Sequence, residues 1–310
     1  MPTFFRFLLL IPFTGGIVFG DLIGHRMTKR IALILTGVSV IFVMSYFGIS
    51  KARQFIAIDD CLDKGGQWNY QHNECESIGV IDALNRKLTH GFEMVSIKGG
   101  AFIMGGADNA NDGGPLGKSA TDECPHTVNV KDFFIGKYEV TQKEWQEIMG
   151  SNPSYYKGCS SCPVEQVSWE DVLAFINIVN AKYGENFRLP TEEEWEFAAR
   201  GGVNSKDFRY SGSNNANDVA WWKDNSGGKP HSVGRLKPNE LGIYDMSGNI
   251  WEWCSNFKVP YPCDVNGKKF DAKVLRGGTF ANDTSSVRVR DRNGRDANMR
   301  LSTLGFRLAK

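Results

Sequence analysis

The chain of 310 residues is 41% hydrophobic and 23% charged, which is enough to bury a substantial core and unlike disordered or collagen-like sequences. Its formal net charge of +1 argues against a nucleic-acid binder, because neutralising phosphates requires many uncompensated Lys and Arg side chains. We therefore expect no nucleic-acid partner.

An apolar run near the N-terminus is the clearest local signal. Residues 31–49, IALILTGVSVIFVMSYFGI, are nineteen residues without a charge. At about 1.5 Å rise per residue, such a run matches a bilayer core of about 30 Å, so it predicts a transmembrane helix over 31–50. The N-terminal segment 1–30 holds a shorter apolar stretch broken by Pro12. This stretch is either a weak first helix or sequence upstream of a start at Met27, and both interpretations stay open.

Basic residues flank both ends of the apolar run, so the positive-inside rule does not decide on which side of the membrane the rest of the chain lies. The cysteines give a second indication. The close pairs are Cys61 and Cys75, Cys159 and Cys162, and Cys254 and Cys263. No paired histidines lie nearby to complete a zinc site, so we expect disulfides and an oxidising compartment. Cys124 is left over, as a free thiol or an intermolecular link. The prediction is a single-pass protein of the inner (cytoplasmic) membrane, with an extracytoplasmic stalk at 51–91 and a periplasmic domain at 92–310.

Capping patterns predict three helices within that domain. TQKEWQEIMG (141–150) and TEEEWEFAARGG (191–202) each pair an initial Thr with a Glu three residues later and end in Gly. The segment SWEDVLAFINIVNAKYG (168–184) begins at a Ser and has one apolar face, formed by Val172, Phe175, Ile176 and Val179. The runs MVSIKGGAFIMG and FFIGKYEV favour strands, and 34 glycines predict many turns and irregular loops elsewhere.

The order of motifs along the chain resembles a known family. The motifs are MVSIKGGAFIMG, YEVTQKEWQEIMGSNPS, PVEQVSWEDVLAFINIVN, FRLPTEEEWEFAARGG, NELGIYDMSGNIWEWCSN, VLRGGTF and LGFRLA. In this order they are similar to the formylglycine-generating enzyme (sulfatase-modifying factor) family, over residues 92–310. The resemblance implies an α+β, C-type-lectin-like fold with little regular secondary structure, here preceded by the predicted transmembrane helix.

The residues expected to bind copper in this family are replaced. The resemblance implies that two cysteines shortly after the RGG motif hold copper(I). Here the first position is Asn282, and the second is Val287 by direct count or Ser286 if the following Arg-x-Arg is aligned. Copper(I) is a soft ion that needs thiolates, so we expect no copper and no oxidase chemistry. The five histidines include no pair at the spacing of one helix face, which argues against a non-haem iron site.

A structural calcium ion is also implied by the resemblance. In YDMSGNIWEW it would be held by the side chains of Asp245 and Glu252 and by the carbonyl oxygens of Gly248 and Ile250. Oxygen donors in irregular geometry suit calcium. The alternative is that Asp245 caps a turn and that Glu252 pairs with an arginine. Arg307 of the GFRL motif is itself expected in a buried ion pair.

A polar surface follows the RGG motif. Its candidate ligand-contacting residues are Asn282, Asp283, Ser286, Arg288, Arg290, Arg292 and Arg295. The alternation in VRVR predicts that Arg288 and Arg290 share one strand face while Val287 and Val289 face the core. The LRGG…GFRL end also resembles lectin-like proteins diversified by retroelements, in which such positions contact ligands; the alternative is a merely solvated surface.

These inferences combine into one functional hypothesis. We expect a membrane-anchored binding or scaffold component of a cell-envelope complex, holding a protein or glycan partner and without copper oxidase chemistry. The alternative is a formylglycine-generating or related oxidase with an altered site. A third possibility, a thiol redox pair at Cys159 and Cys162, is disfavoured because the CSSC segment lies in a loop before Pro163 and not at a helix start, so we expect a structural loop there.

Overall fold

The computed structural model describes residues 67–69, 74–76, 91–106, 123–262 and 271–310. The predicted transmembrane helix at 31–50 and the segment before it lie outside these residues. Within the described ranges, no helix is long and apolar enough to cross a membrane. All described elements belong to one of two compact units, residues 58–310.

Short strands and helices alternate with long loops in the described residues. The strands are β1 (Gln67–Asn69), β2 (Glu74–Glu76), β3 (Met94–Ile97), β4 (Gly100–Met104), β5 (His126–Val130), β6 (Phe133–Gly136), β7 (Trp251–Phe257), β8 (Lys273–Arg276), β9 (Arg292–Arg295) and β10 (Leu304–Gly305). The helices are α1 (Gln142–Met149), α2 (Trp169–Tyr183), α3 (Glu192–Ala199) and α4 (Ala216–Val219). The predicted α+β class with little regular secondary structure is confirmed.

The three predicted helices begin at the capping residues. Thr141, Ser168 and Thr191 each accept the backbone N–H three residues later, and the acidic side chain at that third position bonds back to the cap. These reciprocal bonds satisfy N–H groups that have no partner within the helix. Gly150 and Gly184 end α1 and α2 in the left-handed conformation that glycine adopts at low cost.

A four-stranded sheet in the order β10-β7-β8-β9 forms the centre of the domain. Strand β10 is parallel to β7, and the other pairs are antiparallel. The apolar face of α2, including Phe175, packs with Trp253, Leu275 and Phe306 in one core cluster. Helix α3 contacts β4, β5, β7 and β8, and its Trp195 lies in a second cluster. The glycine-rich loops that carry the candidate site leave this core around β7 and β8.

Candidate functional site

Two glycine turns meet beside the positions that replace the copper ligands. The Gly248 N–H donates to the Gly277 carbonyl at 2.9 Å, which joins the SGN turn to the RGG turn. A Cβ on Gly278 would lie 2.2 Å from the Ser286 carbonyl oxygen, and the φ of Gly278 is +78°. Only glycine allows both this backbone and this close approach. Gly278 therefore fixes how the loop after it folds back.

The replacement residues hold the loop together and present no sulfur. The Asn282 Oδ1 accepts the Thr279 N–H at 3.1 Å, and the Asn282 carbonyl accepts the Lys223 N–H at 2.9 Å. Val287 is fully buried, and Ser286 is partly buried. The site thus offers an amide, a hydroxyl and an isopropyl group where the family resemblance requires thiolates.

A row of aromatic rings extends from this loop to the surface. Phe280 contacts Tyr156 edge-on at 5.5 Å between centroids, and Tyr156 contacts Tyr155 at 5.0 Å. Tyr155 is 69% exposed. The Tyr156 hydroxyl donates to the Gly228 carbonyl at 3.1 Å, within the largely exposed loop 223–229. We call this aromatic row, loop 223–229 and Asn282 the recognition face.

Two buried polar atoms close to the recognition face have no hydrogen-bond partner among the described residues. One is the Thr279 Oγ1, and the other is the Glu165 Oε2. The second Glu165 oxygen accepts the Tyr156 N–H at 2.7 Å. Burial raises the pKa of Glu165. Buried polar atoms are usually satisfied, so these two are exceptions among the described residues.

Two of the predicted ligand-contacting arginines are instead structural. Arg288 is buried, and its guanidinium donates to both oxygens of Glu123 at 3.0 Å. It also forms an ion pair with Asp291 at 3.5 Å. Arg292 is buried against both oxygens of Glu192, at 2.8 and 2.7 Å. The prediction that Arg288 and Arg292 contact a ligand was wrong, because both side chains are buried in the core and each guanidinium is paired with a carboxylate.

The predicted strand face of VRVR is also wrong. Val287 and Val289 are buried as expected, but a turn occupies 287–290 and β9 starts only at Arg292. Arg290 lies against Gly106. The remaining candidates are separated in role: the Asp283 side chain caps the short turn 284–286, and the exposed Arg295 ends β9.

The predicted calcium segment lies in a buried cluster of carboxylates around Arg307. The Arg307 guanidinium donates to both oxygens of Glu252, at 2.6 and 2.7 Å, and the Trp195 Nε1 donates to Glu252 at 2.7 Å. Asp245 accepts the Gly234 N–H at 2.7 Å. The prediction that Arg307 is a buried ion-pair member is confirmed.

A third carboxylate, Glu139, completes the cluster. Its oxygens accept the Asn249 side-chain amide at 2.6 Å and the Ile250 N–H at 3.3 Å. Burial, together with the charges of Asp245 and Glu252, raises the pKa of Glu139 well above its usual value. Burial also raises the pKa of Asp245 to about 6. Arg307 thus faces three carboxyls, Arg235 also acts on Asp245, and protons compensate part of the remaining negative charge.

These contacts do not suit the predicted calcium ion. Both Glu252 oxygens already accept hydrogen bonds, and the Arg307 guanidinium supplies a positive charge at the carboxylate. In the described part of the chain, no group of three or more His, Cys, Asp or Glu side chains is placed to hold a metal. Calcium binding at Asp245, Gly248, Ile250 and Glu252 stays a prediction, and the observed pairing matches the alternative of a turn-capping aspartate and a paired glutamate.

Cysteines occupy three kinds of position. The predicted disulfide between Cys159 and Cys162 is confirmed. Cys254 is a free thiol, so its predicted pairing was wrong: the side chain is fully buried in the core from β7. Cys124 is disulfide-bonded, which corrects the expectation of a free or intermolecular thiol. Cys61, Cys263 and the side chain of Cys75 lie outside the described residues.

Sequence reasoning missed several residues that form these networks. Glu139 could have been identified as a buried, paired carboxylate because it lies inside the β-prone run FFIGKYEV. Glu123 and Glu192 carried no such signal, because their arginine partners are 165 and 100 residues away. Tyr155 is exposed in a loop, and nothing local distinguished it from other loop aromatics.

The fold and site together define a class: a loop-rich α+β domain whose glycine turns carry a site without sulfur ligands. Residues 81–310 match the sulfatase-modifying factor enzyme 1-like domain. The chain belongs to this family.

Individual relatives carry different names. The chain is 39% identical over 193 residues to the chaperone protein LppX of Paenibacillus barcinonensis, covering 46% of this chain and 69% of LppX. It is 32% identical over 189 residues to the formylglycine-generating enzyme of Streptomyces coelicolor, covering 53% of this chain and 57% of the enzyme. Treponema denticola variable protein 1 is structurally similar at a TM-score of 0.61 and 31% identity, covering 70% of this chain and 94% of that chain.

Proposed function

We propose that this protein is a membrane-anchored, extracytoplasmic member of the family that binds a partner protein and does not carry out copper-dependent oxidation. The observation that carries the proposal is the absence of sulfur at Asn282, Ser286 and Val287. An amide, a hydroxyl and an isopropyl group cannot replace two thiolates around copper(I).

The remaining thiols in the described residues offer no substitute. Cys254 is the free cysteine there, and it is fully buried in the core. Burial raises the pKa of Cys254 well above its usual value, so the thiolate that binds metal is disfavoured. A single inaccessible thiol cannot make a two-sulfur site.

The proposed location is supported by the cysteines and by the apolar run. Disulfides at Cys159–Cys162 and at Cys124 are characteristic of oxidising compartments. The uncharged run 31–49 has the length of a membrane-spanning helix. An inner-membrane anchor with the C-terminal domain in the periplasm accounts for both features.

The recognition face supplies the proposed contact with the partner. Tyr155 gives it an exposed aromatic ring, and Lys223, Asp224 and Lys229 give it exposed charges. Tyrosine combines a large apolar surface with a polar hydroxyl, which makes it common at protein interfaces. A protein partner is favoured over a glycan because LppX, the relative quoted above at 39% identity, is named as a chaperone.

A copper assay tests the absence of oxidase chemistry. The purified full chain in detergent is titrated with copper(I) and incubated with a cysteine-containing peptide, beside the Streptomyces coelicolor formylglycine-generating enzyme as positive control. We expect no tight one-to-one copper(I) binding and no peptide aldehyde. Conversion of the peptide thiol to an aldehyde by this chain would refute the proposal.

A capture experiment tests the recognition face. The full chain is crosslinked in native membranes and purified, and the bound proteins are quantified. We expect the variant Tyr155→Ser/Lys223→Ser to lose at least about tenfold of one specific partner, because an aromatic hot spot contributes about 2 kcal/mol. The control Phe134→Ser alters a 44% exposed aromatic on β6 and should retain the partner. Equal capture by all three proteins contradicts a role for this face.

A further inference from the structure

The sulfurs of the CSSC segment differ in their access to solvent. Cys159 is partly exposed and lines an open cavity of about 560 Å³, together with Lys143, Gln146 and Glu147. Cys162 is 4% exposed, and its Sγ faces the Pro230 carbonyl. A thiolate approaching from solvent therefore reaches the Cys159 sulfur, and Cys162 is the buried leaving group.

The disulfide lies at the N-terminus of helix α1. The carbonyl of Cys162 accepts the Gln142 N–H, and the carbonyl of Ser160 accepts the Lys143 N–H, both at 2.9 Å. These N–H groups belong to the first turn of α1. The positive end of the helix dipole therefore lies beside the loop that carries both cysteines, and a positive potential favours the thiolate form of a nearby sulfur during exchange. The expectation that CSSC lies away from any helix start was wrong, because the helix whose first turn it meets, α1, precedes the segment in sequence.

The loop around the disulfide is held by bonds that do not involve sulfur. The Val233 N–H donates to the Ser161 carbonyl at 3.0 Å, and the Ser161 and Ser232 hydroxyls are 2.9 Å apart. The bonds to α1 add to these. The sulfur bridge itself closes only a four-residue segment, so it removes little entropy from the unfolded chain. The folded domain should therefore tolerate reduction of this bond.

We propose that Cys159 and Cys162 form an exchangeable redox pair whose substrate is a protein dithiol. A substrate thiolate attacks the Cys159 Sγ, the bond between the two sulfurs breaks, and Cys162 leaves as a thiolate that takes up a proton. The second substrate thiolate then attacks the substrate sulfur of the mixed disulfide and releases Cys159. The substrate loses two electrons and two protons and becomes a disulfide, and the pair becomes two thiols.

Single-turnover exchange tests this activity. The oxidised full chain, in detergent and without oxygen, is mixed with a synthetic peptide that carries two cysteines. We expect one peptide disulfide per chain, two alkylatable thiols at Cys159 and Cys162, an intact disulfide at Cys124, and unchanged tryptophan fluorescence. No peptide oxidation, or oxidation accompanied by unfolding, overturns the proposal.

Cysteine variants separate the roles of the two sulfurs. With oxidised glutathione, Cys162→Ser should accumulate one glutathione at Cys159, and Cys159→Ser should accumulate less than about a tenth as much because its remaining sulfur is buried. The double variant Cys159→Ser/Cys162→Ser should keep the wild-type fluorescence and oxidise no peptide. Equal trapping by the two single variants, or peptide oxidation by the double variant, contradicts the assignment.

Discussion

Asp245 illustrates how a single buried carboxyl affects stability. Its folded pKa of about 6 lies above its ordinary value of 3.8 because burial disfavours the charge. The neutral form therefore stabilises the fold below about pH 4, and this contribution is lost as the pH rises through about 6. At neutral pH the cost of burying this charge outweighs its attraction to Arg307 and Arg235, so the charge destabilises the protein unless a metal ion binds beside it.

Replacement by asparagine removes the charge and keeps the local geometry. Asp245 has a φ of +58°, which asparagine tolerates, and an amide oxygen can still accept the Gly234 N–H. We expect Asp245→Asn to raise the free energy of unfolding by about 1–3 kcal/mol at pH 8, with the gain vanishing toward pH 4. Urea denaturation of the full chain with a chelator present measures this.

Asp207→Asn is the matched control, because Asp207 also has a positive φ, of +53°, but its side chain is 89% exposed. It should show no comparable pH-dependent gain. Calcium ligation at Asp245 predicts the opposite sign: the asparagine variant would be less stable than the wild type in calcium buffer, and chelation would remove the difference.

The Arg307 guanidinium is the second residue whose role can be measured. Beyond the two bonds to Glu252, it donates to the carbonyls of Gly136 at 3.0 Å and Tyr244 at 2.9 Å. A lysine cannot reproduce this planar set of donors. We expect Arg307→Lys to lower the free energy of unfolding by about 3–5 kcal/mol, because polar groups in the core lose their partners.

Arg300→Lys provides the comparison for that variant. The Arg300 guanidinium also donates to both oxygens of one carboxylate, that of Asp171, but this pair is exposed to solvent. Water replaces the lost bonds there, so stability should hardly change. Similar losses in the two lysine variants would show that burial does not govern the contribution of Arg307.

At the scale of elements, the RGG turn shapes the recognition face. Gly278→Ala adds a Cβ that collides with the Ser286 carbonyl at 2.2 Å, on a backbone with positive φ. Gly227→Ala imposes a similar backbone cost, at a φ of +65°, with no atom within 4 Å. We expect about 1 kcal/mol of destabilisation for Gly227→Ala and at least about 2 kcal/mol more for Gly278→Ala, measured by thermal unfolding.

The sequence predicted elements well where the determinants are local. Thr141 and its Glu144 partner lie in one helical turn, so the capping pattern located α1 directly. By contrast, Arg288 appeared to be a surface residue because its partner Glu123 lies 165 residues earlier. Cys254 was paired with a sequence neighbour, although its strand directs the thiol into the core. Burial of this kind depends on tertiary packing, and neither the periodicity of hydrophobic residues nor the spacing of cysteines along the sequence predicts it.

For the whole molecule, the proposed orientation follows from two independent features that must agree. An uncharged run of nineteen residues precedes a domain that contains an oxidised Cys159–Cys162 pair. The proposed export of the domain behind a membrane anchor would account for both features. Protease added to spheroplasts should therefore degrade the domain, whereas a cytoplasmic marker stays intact.

Extraction of the same membranes separates anchoring from peripheral association. Alkaline carbonate removes proteins held by surface contacts, but a membrane-spanning apolar helix stays in the bilayer. We expect the full chain to remain in the pellet, and a variant with Leu33→Arg and Val40→Arg to lose membrane retention because charges within a membrane-spanning helix are costly, most of all near the bilayer centre, where Val40 would lie. The matched substitutions Leu8→Arg and Val18→Arg, in the segment 1–30, should leave retention unchanged if residues 31–50 alone form the anchor. Loss of retention in that control would instead assign the anchor to the N-terminal stretch, and protection of the domain from protease would place it in the cytoplasm.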